Sequence, residues 1–251
     1  MSLLGIILFI FVVFYLLKKR SLIAYRKGVK EVLGGDSALG MEYLRKAYRQ
    51  GLTPAQRIQV AYAELKFGEE RESKKILNLL LMDPKVKPAV KAQARCIMAI
   101  IALQNKEILE AKEILESIKA GGFVSSNFYA TYGYMAILTA EQEYYTKANE
   151  EAYQFNPDNT VICDNYGLSL LHRGELDKAK EIYSQLIEKN PNFPEAYYNY
   201  ACVLDKSGEY EHAVEMLEEA LNQEFSGVTT IHKGAVEAYL QSLKNQLGKE
   251  Q

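Results

Sequence analysis

The side chains best suited to chemistry lie far apart in this chain. His172, His212 and His232 are 40 and 20 residues apart, and none has a histidine or cysteine at metal-ligand spacing. Cys96, Cys163 and Cys202 are odd in number and contain no C-x-x-C pair, so they read as reduced thiols. No G-x-x-x-x-G-K-[ST], G-x-G-x-x-G or G-x-S-x-G occurs, and Gly34-Gly35 reads as a helix-ending turn. Neither an enzyme nor a cofactor is expected. Two amides, Asn165 and Asn199, stand 34 residues apart. An amide is both donor and acceptor, so two in register could grip the main chain of an extended peptide whatever its sequence. The competing reading is that they brace neighbouring helices.

The elements that carry these amides repeat. Small residues recur as Ala99, Gly133, Gly167, Ala201 and Ala235, every 34 residues. A second column reads Ala111, Tyr145, Ala179 and Ala213, and a third Ile118, Ala152, Leu186 and Ala220. A stop column follows with Phe123, Pro157, Pro191 and Phe225. Within one period, Val161, Cys163, Tyr166, Leu170 and Leu171 recur at helical spacing, and Gly174 ends that helix. Glu175 and Asp177 then open a second helix, with Ala179, Ile182, Tyr183, Leu186 and Ile187 on its apolar stripe. Gly167 is expected to face Ala179 where the two helices cross.

A 34-residue helix-turn-helix unit with small residues in its eighth and twentieth places resembles the tetratricopeptide repeat. Gly167, Ala179 and Pro191 carry the resemblance, as do Ala201, Ala213 and Ala220. Ala140 and Tyr145 depart from it, and the unit from Ala92 lacks a turn glycine. The resemblance implies an all-α, right-handed superhelix of about six repeats: 21–53, 54–91, 92–125, 126–159, 160–193 and 194–227. A capping helix at 228–247 and a short tail, 248–251, are expected to close it.

Stacked repeats of this kind present their first helices on a concave face suited to a partner segment. The places expected there hold Tyr62, Tyr134, Asp164, Asn165, Leu168, Tyr198, Asn199 and Asp205. In similar domains the asparagine in the sixth place hydrogen-bonds a bound peptide. Asp164, Glu195 and Asp205 stand where a carboxylate clamp would need cations, so a neutral or basic protein segment is the expected partner. The alternative is a structural subunit that self-associates, or joins a membrane complex, through its convex face.

Charge adds a location. The net charge is -2, yet residues 18–30 hold six basic side chains and no acid, leaving the rest with an excess of eight acids. That balance argues against nucleic acid. The cations follow the apolar stretch 3–17, and nothing resembling a cleavage site separates them. Seventeen residues of helix reach about 25 Å against a hydrocarbon core of about 30 Å. A single membrane-spanning helix is expected within residues 1–20, flanked by Lys18, Lys19 and Arg20. By the positive-inside rule its amino terminus lies outside and the repeats in the cytoplasm.

Overall fold

The computed structural model describes residues 19–250, and every regular element among them is an α-helix. Two compact units share the chain, Met1–Met98 and Ala99–Gln251, with the boundary inside one helix. The apolar stretch 3–17 and Lys18, on which the expected anchor rests, lie outside the described residues. Among the described residues no helix is long and apolar enough to cross a membrane.

The first unit contains α1 (19–33), α2 (Ser37–Gln50), α3 (Pro54–Phe67), α4 (Glu70–Met82) and the start of α5 (Pro88–Gln104). Asp36 caps α2 by accepting from the Leu39 amide, and Thr53 with Gln56 forms a capping box on α3. These caps explain why the weakly matching region still folds as helix pairs. A bidentate ion pair, Arg45 to Glu64 at 2.8 Å through both nitrogens, joins α2 to α3. Glu64 is buried, so the guanidinium replaces the water its carboxylate has lost. On α1, Lys19, Arg20, Arg26, Lys27 and Lys30 are all exposed.

The second unit continues with α6 (Ile108–Ala120), α7 (Ser126–Leu138), α8 (Gln142–Phe155), α9 (Thr160–His172) and α10 (Leu176–Glu188). It ends with α11 (Pro194–Lys206), α12 (Tyr210–Asn222) and α13 (Lys233–Glu250). The turns inside its helix pairs share one conformation. Lys106, Ala140, Gly174 and Gly208 all have positive φ, at 63°, 57°, 76° and 78°. The missing glycines at 106 and 140 therefore do not change the turn; packing of the two helices imposes it against local preference. Each turn is followed by a glutamate, Glu107, Glu141, Glu175 or Glu209, at the N-cap of the second helix. Negative charge there suits the helix dipole.

Two expectations need correction. The atoms nearest a Cβ built on Gly167 belong to the Tyr183 ring, at 2.6 Å, and not to Ala179. Glycine is needed at 167 because one edge of the ring, one turn beyond Ala179, presses against this position on α9. The final helix begins at Lys233, not at 228. The run Val228-Thr229-Thr230-Ile231 is β-branched throughout and disfavours helix. Ser226 and Thr229 close a local turn there instead, with the Ser226 amide donating to the Thr229 hydroxyl at 2.9 Å.

Candidate functional site: the inner face of the second unit

The first helices α7, α9 and α11 of the second unit carry a polar ladder built from the residues singled out by sequence. Asn165 donates its amide to the Ala130 carbonyl on α7 at 2.7 Å. Asn199 donates to the Asp164 carboxylate on α9 at 3.0 Å. Each bond spans 35 residues, one period plus one, so it ties a helix to its predecessor. All three polar side chains are buried. In this arrangement the asparagines brace adjacent helices.

Asp164 is the centre of that ladder. Its carboxylate also accepts from the Tyr183 hydroxyl at 3.0 Å. Burial raises the Asp164 carboxyl to about 7, the nearby Glu195 charge adds to the rise, and the donors Asn199 and Tyr183 oppose it. Tyr183 is fully buried, and its own hydroxyl is pushed well up by desolvation and by Asp164. It stacks on Tyr200 of the next pair with ring centroids 5.7 Å apart. One side chain thus fills the groove over Gly167, holds Asp164, and packs α10 against α11.

The remaining predicted residues separate into three groups. Tyr134 on α7 and Tyr198 and Asp205 on α11 are half-buried. Tyr198 meets Tyr239 of α13 edge-on at 5.8 Å, and the Tyr239 hydroxyl donates to Asp205 at 2.5 Å. Burial raises the Tyr134 hydroxyl, and the charges of Glu195 and Asp164 add to the rise. Leu168 is half-buried against the apolar core of the α9–α12 region. Tyr62 is on α3 of the first unit, 39% exposed.

Sequence reasoning did not find Thr230, Gln104 or Tyr239. Thr230 donates both its N–H and its hydroxyl to Glu195 Oε1, at 2.5 and 3.0 Å, and Gln104 donates to the Gly227 carbonyl. The β-branched run at 228–231 was the available signal, because it marks a stretch that leaves helical register.

The histidines are not brought together. His172 packs edge-on against Tyr145, and burial with the Lys206 charge lowers its basicity. His212 is exposed, 3.7 Å from Glu209. Among the described residues no cluster of three His, Cys, Asp or Glu could hold a metal. The three cysteines are free, and burial raises the Cys96 thiol to about 12 and the Cys202 thiol to about 11. Thiols held protonated in this way are poor nucleophiles.

Comparison with known proteins agrees with this geometry. Residues 170–227 match the tetratricopeptide-repeat family model. The photosystem I assembly protein Ycf3 of Acaryochloris marina is 36% identical over 63 residues, 25% of this chain and 38% of that one. This chain therefore spans about two fifths of the length of the curated relatives it matches. In fold, it resembles a chain of the APC/C hetero-tetramer Cut9–Hcn1, with TM-score 0.68 at 14% identity, over 92% of this chain and 45% of the other. The PilF protein of Pseudomonas aeruginosa is similar with TM-score 0.53 at 22% identity, over 74% and 79% of the two chains. Residues 170–227 thus resemble tetratricopeptide repeats, and the likeness to solved structures shows that the helix-pair plan is a known all-α fold.

Proposed function

We propose that this chain is a membrane-tethered adaptor that takes a segment of a partner protein along the inner face of its second unit. The observation that carries the proposal is that Glu195, Tyr198 and Asp205 of α11 already engage other polypeptide, at Thr230 and Tyr239. A surface that holds main-chain N–H and hydroxyl groups can hold those of another chain. Its acidic lining, Glu195 and Asp205, favours a neutral or basic segment. The reading is non-catalytic.

The tether is the apolar stretch 3–17 with Lys18, Lys19 and Arg20 behind it, amino terminus outside and repeats cytoplasmic. The exposed cations of α1 support this, because such a helix is attracted to the anionic lipid of a cytoplasmic leaflet. Affinity capture from solubilised membranes, comparing the full-length protein with Glu195→Lys, tests the adaptor role. The charge reversal is expected to remove at least one captured protein; identical captured sets would sink the proposal. Digestion of the repeats by protease in sealed vesicles only from the non-cytoplasmic side would overturn the orientation.

A further inference from the structure

α12 ends at Asn222 and α13 begins at Lys233, so ten residues join them where the other connections of the unit take three to five. This long connection reaches back to earlier first helices of the unit. Gln104 at the end of α5 donates to the Gly227 carbonyl. Thr230 donates twice to Glu195 on α11. Two first helices of the unit, α5 and α11, therefore hold one short stretch that turns at Ser226–Thr229.

The hydrogen bonds lie at the surface, and Phe225 and Ile231 add partial apolar contact with the core of the unit. Gly227 and Thr230 are exposed, and Phe225, Val228 and Ile231 are only half-buried. Hydrogen bonds open to water are exchanged for water at small net cost. By contrast α13 is pinned by Val236 and Leu243, which are 0% and 3% exposed. The stretch can leave the face while the helix after it stays in place.

We infer that residues 225–231 are the resident occupant of the inner face, and that a partner segment enters by displacing them. The inference rests on the adaptor reading and narrows its partner. That partner is an extended, neutral or basic stretch with a hydroxyl residue whose N–H and O–H replace those of Thr230 on Glu195. The resident stretch lowers the apparent affinity for such a segment by the fraction of time it occupies the face.

The test uses the full-length protein and a fluorescent peptide, EFSGVTTIH, identical to residues 224–232. Thr230→Pro removes both donors to Glu195 at an exposed loop position. It is expected to bind the peptide about tenfold tighter than wild type, and adding Glu195→Ala should cancel the gain. On wild type, saturating peptide should speed amide exchange across 225–231 while the amides of Val236–Leu243 stay slow. Equal affinity of wild type and Thr230→Pro would overturn the inference. So would binding indifferent to Glu195→Ala, unchanged exchange at saturation, or no binding by any variant. Because the peptide is the chain's own, these outcomes do not depend on any partner being present. Failure of the adaptor reading is seen separately, in the Glu195→Lys capture.

Discussion

Two consecutive helix pairs, α7–α8 and α9–α10, have the same plan and nearly opposite sequence solutions. Both place a glycine, Gly133 or Gly167, beneath a large side chain from the second helix. In α9–α10 that side chain is the Tyr183 ring; in α7–α8 it is the Asn149 amide. Asn149 donates to the Gly133 and Tyr145 carbonyls at 3.2 and 2.9 Å, while its own oxygen is buried without a partner. Tyr183 satisfies its hydroxyl on Asp164 and adds ring stacking. The turns differ in parallel, Ala140 against Gly174, although both are left-handed. The comparison teaches that the geometry belongs to the stack, and that each pair accepts it at a different energetic cost.

The largest expected effect lies at that shared position. Tyr183→Ala should destabilise α9–α10 by about 3–5 kcal/mol, through a cavity over Gly167 and loss of the bond to Asp164. Asn149→Ala should cost only about 1–2 kcal/mol, since it removes an unsatisfied oxygen along with two hydrogen bonds. Amide exchange resolved to each pair measures both, and equal losses would remove the distinction between the two solutions.

A second effect, of similar size over its full window, depends on pH. The Asp164 carboxyl is raised by burial to about 7, against 3.8 for the free side chain. Between those values the folded state keeps a proton that the unfolded chain releases. Stability from this group is therefore complete below about pH 3.8 and is lost as pH rises through about 7, by at most about 1.4 kcal/mol per unit. Asp164→Asn keeps an acceptor for Tyr183 and Asn199 but does not titrate. Its unfolding curve should lack the decline that wild type shows across this window. Parallel curves for the two proteins would refute the assignment.

The smallest effect belongs to the turns. Ala140→Gly should stabilise α7–α8 by about 1 kcal/mol, because alanine strains at positive φ and glycine does not. Gly174→Ala should cost α9–α10 a similar amount. Thermal unfolding of the pair of variants reads the two signs; equal signs would show that the turns are not equivalent.

The helix pairs were legible because their signals are local. Glycines, capping residues and apolar stripes at fixed spacing speak for their own segment, even where Lys106 or Ala140 stood in for glycine. The inner face was legible only as positions. Residue type marked Asn165 and Asn199 as amides in the right place, but their partners are a carbonyl and a carboxylate 35 residues earlier. Nothing in the local pattern states that those acceptors turn toward them. The stretch at 228–232 differs for the opposite reason, since the regular period pointed to a helix and the β-branched run overrode it.

The contacts of Gly227 and Thr230 also bear on the order in which the protein is made. The bonds between successive first helices close loops of 35 residues, so each pair can dock soon after it emerges during synthesis. The bond from Gln104 to Gly227 spans 123 residues and must wait for the last of them. Until then the inner face of the nascent chain stands without its internal occupant. A partner present at the ribosome meets no competitor, whereas one arriving later meets a face already filled.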